Sequence, residues 1–142
     1  MGGYGNAQTQ KVDSLKRLLT TSDTLSEVYA LNLFNICNDL LEYNPDAALP
    51  YCLQAAQVPH ENDSLLAQVY IKTATAYSHK AVYDKSMELA LKGLEIGERI
   101  NDTLIIFDAH TNLGIDLFIQ EDYPRAREHF DLAERLIFQY GD

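Results

Sequence analysis

The chain has 142 residues, of which 46% are hydrophobic and 23% charged, and its formal net charge at pH 7 is −10. This composition is that of an ordinary globular chain, and the length predicts one domain with a substantial core. Because the negative charge repels phosphate backbones and anionic lipid surfaces, we expect no nucleic-acid partner. No apolar run approaches the roughly 20 residues of a membrane span, so we expect no direct membrane insertion of this segment.

The beginning of the chain carries few structural signals. Residues 1–10 predict a disordered tail, without the basic and apolar regions of an export signal, and residues 11–22 predict a short N-terminal helix. Further along, Cys37 and Cys52 fit neither a zinc site nor a redox motif. They could meet across a helical hairpin, but free, packed cysteines are the favoured interpretation because cysteine behaves as a small apolar residue.

An internal repeat organises the rest of the chain. Asp23, Asp63, Asp102 and Asp142 are spaced by 40, 39 and 40 residues, and each closes a similar polar segment. Asparagine or glycine before three of these aspartates tolerates the left-handed conformation that ends a helix, and the aspartate can cap the next helix. We therefore predict three repeats, at 23–62, 63–101 and 102–142.

Each repeat is divided by a second break, so its unit is a pair of helices. These breaks lie near Pro45, Tyr83 and Tyr123. Apolar residues recur at spacings of three and four on both sides of the breaks, which predicts helices rather than strands. The predicted pairs are 24–43 with 45–58, 63–80 with 83–99, and 103–120 with 123–139.

The third repeat places small and aromatic residues in a definite order. The residues that carry it are Gly114, Leu117, Tyr123, Ala126, Phe130 and Ala133. This order resembles a tetratricopeptide motif, and the first two repeats match it more loosely. The resemblance implies an all-α, right-handed α-solenoid of helix-turn-helix repeats. The period here is about 40 residues, whereas that of the family is 34, because no proline ends the second helices of the last two repeats.

The sequence presents no catalytic constellation, and we expect neither a metal nor a cofactor. The four histidines have no metal-ligand spacing on one helix turn. On the repeat pattern, His110 belongs to a packing face, His79 to the inner edge and His129 to solvent. Ser78-His79 lacks a third member and an oxyanion hole, so it does not predict a nucleophile.

The predicted binding surface is the concave face, which the first helix of each pair supplies in solenoids of this type. The candidate groove residues are Leu33, Cys37, Gln68, Ile71, Thr75, His79, Asp108, Thr111, Ile115 and Phe118. They are small, apolar or weakly polar, and they lack the lysine and asparagine set with which chaperone-binding tetratricopeptide domains hold a C-terminal carboxylate. A helix or an extended segment with apolar anchors suits this surface better.

The segment Gln8–Leu19, followed by Ser22–Leu25, is similar to the start of the extracytoplasmic region of tetratricopeptide-bearing sensor kinases and regulators in Bacteroidetes-type bacteria. The last helix ends on apolar residues rather than a polar cap, and the sequence ends at a repeat boundary, so we expect either a piece of a longer protein or an end covered by another chain. We therefore expect a protein- or peptide-binding scaffold in a bacterial signal-transduction protein, with a periplasmic location favoured over the cytoplasm. A cytosolic peptide-binding adaptor and a homo-oligomer formed through the open C-terminal end are the alternatives.

Overall fold

The computed structural model describes residues 3–21 and 26–140, and every regular element in these ranges is an α-helix. The helices are α1 (Gly3–Thr21), α2 (Glu27–Tyr43), α3 (Pro45–Gln57), α4 (Asp63–His79), α5 (Tyr83–Ile100), α6 (Thr103–Ile119) and α7 (Tyr123–Tyr140). The chain is thus an all-α helical-repeat solenoid, as predicted, with α2–α3, α4–α5 and α6–α7 as its three pairs.

The N-terminal helix differs from the prediction. The sequence predicted disorder up to residue 10, whereas α1 begins at Gly3. The reason lies in the packing of its C-terminal half, where Val12 is buried and Leu15 and Leu19 contact the core formed by α2 and α3. Once these turns are fixed, the preceding glutamines and threonine can extend the helix at little cost.

Polar side chains cap the first helix of each pair. Ser26, Asn62 and Asp102 accept hydrogen bonds from backbone N–H groups in the first turns of α2, α4 and α6. Of the predicted aspartate caps, Asp102 is confirmed. Asp63 is not a cap, because Asn62 takes that position and Asp63 becomes the first helical residue. Asp23 and Asp142 lie outside the described residues.

The ends of the helices repeat as well. Asn101 ends α5 in the left-handed conformation, with φ 57°, as the sequence predicted. Ala81 and Glu121, with φ 59° and 65°, occupy corresponding turns 40 residues apart, where the first helix of a pair gives way to the second. The same backbone path is thus used twice although the residues differ.

The helices form two rows. The first helices α2, α4 and α6 contact one another in order, whereas within the described residues the backbones of α3, α5 and α7 lie close only to those of first helices. Small residues allow the close approach between rows: a Cβ atom at Gly93 would lie 2.7 Å from Ile71, and one at Gly114 would lie 2.6 Å from the Phe130 ring. The close approach predicted at Gly114 is confirmed.

A disulfide bond joins Cys37 of α2 to Cys52 of α3, so the favoured interpretation of free cysteines is wrong. Both residues are buried in the core, next to Val12 of α1 and Ala76 of α4. The two helices lie close enough at this level to bring the Cα atoms to 5.1 Å, which is within the usual range for a disulfide. Sequence spacing alone could not reveal this juxtaposition.

Loss of this disulfide should lower the free energy of unfolding by about 3 kcal/mol, because the bond closes a loop of about 15 residues. We expect the double substitution Cys37→Ala, Cys52→Ala to have this effect in urea unfolding monitored by circular dichroism. Dithiothreitol should destabilise the wild-type chain similarly and leave the double variant unchanged. If reduction does not shift the wild-type transition, the bond does not stabilise the fold.

Candidate binding site on the inner face

An open pocket of about 490 Å³ lies between α4 and α6 in the row of first helices. Each helix contributes one stripe of side chains at spacings of three and four, so the lining follows directly from helical periodicity. From α4 the pocket is lined by Ile71, Lys72, Thr75, Ser78 and His79; from α6 it is lined by Asp108, Thr111, Asn112, Ile115 and Ile119.

A buried carboxyl group supports the floor of the pocket. Asp116 is fully buried, and it accepts hydrogen bonds from the hydroxyl of Ser78 on α4, at 2.6 Å, and from the hydroxyl of Ser86 on α5. The Ser86 hydroxyl also lies 3.2 Å from the side-chain oxygen of Asn112. Three helices therefore meet at a polar network in which Asp116 and Ser86 are fully buried and Ser78 and Asn112 border the pocket.

The protonation state of Asp116 decides how this network is satisfied. The Ser86 hydroxyl has one proton but two acceptors, Asp116 and Asn112. An ionised Asp116 takes this proton, whereas a protonated Asp116 would donate to Ser86 and free the Ser86 proton for Asn112. Burial raises the pKa of Asp116, and the hydrogen bonds from Ser78 and Ser86 oppose that rise.

The hydroxyl groups along the pocket donate their protons to the protein itself. Thr75 donates to the carbonyl of Ile71 at 3.0 Å, and Thr111 donates to the carbonyl of Phe107 at 2.9 Å. Thr75 in turn accepts from the side-chain amide of Asn112, at 2.9 Å. With the Ser78 proton directed to Asp116, three pocket hydroxyls present oxygen lone pairs and no free proton.

Two charged side chains stand in the pocket. Asp108 is half-buried, and within the described residues it forms no hydrogen bond and no ion pair. Burial raises the pKa of Asp108, while the charge of Lys72 acts in the opposite direction. Lys72 is near enough to act through its charge, but it makes no ion pair with Asp108.

The structure brings six of the ten predicted groove residues together in this pocket: Ile71, Thr75, His79, Asp108, Thr111 and Ile115. Gln68 lines a separate pocket of about 330 Å³ between α2 and α4. Phe118 lies outside both and is 56% exposed, with its ring packed edge-on against Tyr123 at 5.3 Å between centroids.

Two predicted groove residues do not reach the surface. Leu33 is fully buried because Val58 and the α4 residues Leu65 and Val69 pack around it. Cys37 is buried because it is bonded to Cys52 and covered by α1. The repeat pattern identified their helix face correctly, but it could not show that neighbouring elements close over this face in the first repeat.

Sequence reasoning missed several lining residues, of which Ser78 and Asn112 matter most because they connect the pocket to Asp116. A signal was present. Asp116 interrupts the otherwise apolar run from Leu113 to Ile119, and an aspartate on a packing face requires hydrogen-bond partners.

The histidines outside the pocket are partly as predicted. His110 is buried on the packing face, but His129 is half-buried rather than facing solvent, and its Nδ1 atom lies 3.1 Å from Nδ1 of His110. Burial lowers the pKa of both rings. Across residues 3–21 and 26–140, no three His, Cys, Asp or Glu side chains gather as a potential metal site.

No protein-family model matches the chain, and no curated protein matches it significantly. Among solved structures, the crystal structure of MamA is similar, with a TM-score of 0.73 over 94% of this chain and 71% of the other. MamA is a tetratricopeptide-like protein. At 18% sequence identity this likeness shows the fold alone, which is a tetratricopeptide-like solenoid. Within the described part of the chain, no helix is both long and apolar enough to cross a membrane.

The Asp116→Asn variant should become more stable relative to the wild type as the pH rises. A pKa raised in the folded state means that folding favours the protonated carboxyl, so ionisation above the ordinary value of 3.8 costs the wild type stability. Asparagine cannot ionise. We therefore expect the difference in unfolding free energy, variant minus wild type, to increase between pH 4 and pH 7 in urea titrations.

The exposed substitution Asp131→Asn controls for the loss of one negative charge. A difference for Asp116→Asn that stays constant with pH, or that falls, would contradict the assignment of a raised pKa to Asp116.

Proposed function

We propose that the chain is a non-catalytic protein-interaction scaffold whose pocket between α4 and α6 holds a segment of a partner protein. The observation that carries this proposal is the open pocket in the row of first helices, with an ordered polar floor and apolar side chains at its edges. The tetratricopeptide-like fold supports it, since a solenoid offers an extended surface rather than an enclosed reaction chamber.

The apolar side chains of the pocket favour a peptide as the ligand. Ile115 and Ile119 are 44% and 50% exposed, which leaves apolar surface in water that a bound side chain would cover. Ile71 lines the opposite side of the pocket from α4, but its side chain is buried in the core. Two exposed apolar side chains one turn apart on α6 fit the apolar side chains of a helical or extended segment, which agrees with the expectation from sequence.

A charge placed among these apolar side chains should abolish binding. Peptides selected from a random-sequence display library on the wild-type chain should bind with micromolar affinity, and Ile115→Glu should weaken them at least tenfold. Fluorescence anisotropy with labelled peptides would measure both values. Leu91→Glu on α5 is the matched control, because Leu91 is also 50% exposed but lies outside the pocket.

A library that yields no binder, or binders equally tolerant of both substitutions, would contradict the proposal. Circular dichroism on both variants ensures that a loss of binding reflects the pocket rather than the fold.

We further propose that this scaffold is the sensory segment of a bacterial signal-transduction protein and faces the periplasm. The disulfide between Cys37 and Cys52 supports an oxidising compartment, because cytosolic thiols are kept reduced. The similarity of residues 8–19 and 22–25 to extracytoplasmic regions of sensor proteins points the same way. The disulfide weighs against the alternative of a cytosolic adaptor.

Thiol trapping in cells tests this location. We expect an alkylating reagent added during lysis to leave Cys37 and Cys52 unmodified unless the sample is first reduced, and external protease to digest the protein in spheroplasts. Both thiols labelled without reduction, together with protection from protease, would place the chain in the cytosol and remove the periplasmic proposal.

Self-assembly is a second candidate function, which one observation favours. The last helix carries apolar side chains on its outer surface, with Ile137 54% and Phe138 75% exposed. Light scattering at several concentrations separates this case, since a strict monomer rules it out. A monomer would leave the peptide-binding proposal intact.

A further inference from the structure

The three hydroxyl groups that line the pocket between α4 and α6 can act toward a ligand only as hydrogen-bond acceptors. Thr75, Thr111 and Ser78 each give their hydroxyl proton to a group of the protein. Their oxygen atoms keep lone pairs, so these three side chains can accept hydrogen bonds from a ligand but have no free proton to donate.

The carboxyl group of Asp108 adds the strongest acceptor, and nothing within the described residues satisfies it. It stands half-buried in the same pocket without a hydrogen bond or an ion pair. A half-buried carboxylate is costly unless a donor or a cation reaches it, and a charge-assisted hydrogen bond is stronger than a neutral one. A ligand that brings a positive charge would remove this cost.

The donors in the pocket are fewer. Asn112 directs one of its two amide N–H groups to Thr75, which leaves the other; His79 carries a ring N–H, and Lys72 supplies a fixed positive charge. Because Lys72 makes no ion pair with Asp108 and has a long flexible stem, it can keep its ammonium group in water while a ligand occupies the carboxylate. The net charge of −10 adds a long-range attraction for cations.

We infer that this pocket recognises a lysine or arginine side chain of the partner segment, with Asp108 and the three hydroxyl oxygens as acceptors and the exposed Ile115 and Ile119 contacting its apolar neighbours. The inference rests on the proposed peptide-binding function and adds the chemistry of the ligand. It predicts a partner motif that combines one basic residue with apolar flanks, the opposite of an acidic tail.

Peptides selected from a random display library on the wild-type chain provide the probe. We expect enrichment of lysine or arginine flanked by apolar residues, and an affinity of the selected peptides that falls about tenfold in Asp108→Asn. Asp131→Asn removes the same charge from the exposed surface of α7 and should change the affinity less than twofold. Replacing the basic residue of the peptide with norleucine should weaken binding to the wild type and have little effect on Asp108→Asn.

The substitution Lys72→Met tests the inference through the direction in which the peptide affinity changes. It removes the competing cation, so it should strengthen binding of the basic peptides, whereas general damage to the pocket would weaken it. The inference would be overturned if the selected peptides were acidic or wholly apolar, or if they bound Asp108→Asn and Asp131→Asn with equal affinity. Either result would leave the proposed peptide-binding function unchanged. A library without any binder would remove both.

Discussion

The contact on which the inner face most depends is the buried carboxyl group of Asp116. It joins Ser78 of α4 and Ser86 of α5 to α6, and through Asn112 it reaches the pocket lining. Apolar packing alone would tolerate small shifts between these helices, but a buried polar group without its partners costs about 1–3 kcal/mol. The network therefore favours one relative position of the three helices, and with it one shape of the pocket.

The same network holds several side chains of the site in place. Thr75, Ser78 and Asn112 are held by hydrogen bonds to the backbone, to Asp116 or to one another. A partner segment would lose little free energy in ordering these groups, because folding has already fixed them. Asp108, which has no such partner, is the exception, and it is the group whose environment a cationic ligand would change most.

The fold was predictable from sequence because several local signals agree at each repeat. Asp102 caps a helix, Asn101 ends the one before it, and Gly114 accepts the Phe130 ring of the neighbouring helix. Each signal depends on residues close in sequence or on a repeated spacing, so no long-range information is required. The helix bounds consequently agree with the prediction to within a few residues, except at α1.

Of the candidate site, only the part between α4 and α6 was predictable from sequence, because the rest depends on contacts between residues far apart in the chain. Helical periodicity places Ile71, Thr75 and Asp108 on the inner face whatever surrounds them. Whether such a face stays open depends on contacts between distant residues. In the first repeat, α1 and the start of α4 close over Leu33 and Cys37, and the disulfide between Cys37 and Cys52 likewise requires the packed hairpin.

The acceptor character of the pocket follows partly from the helix itself, and this decides where its selectivity can reside. A threonine on a helix readily donates to the carbonyl four residues earlier, as Thr75 and Thr111 do, so it presents lone pairs wherever it lies. Such oxygens make a surface receptive to donors in general. Asp108 is different, because it is a half-buried charge that the helix does not satisfy. A cationic ligand gains most from that position, so discrimination between basic and neutral partners should depend on Asp108 rather than on the hydroxyl groups.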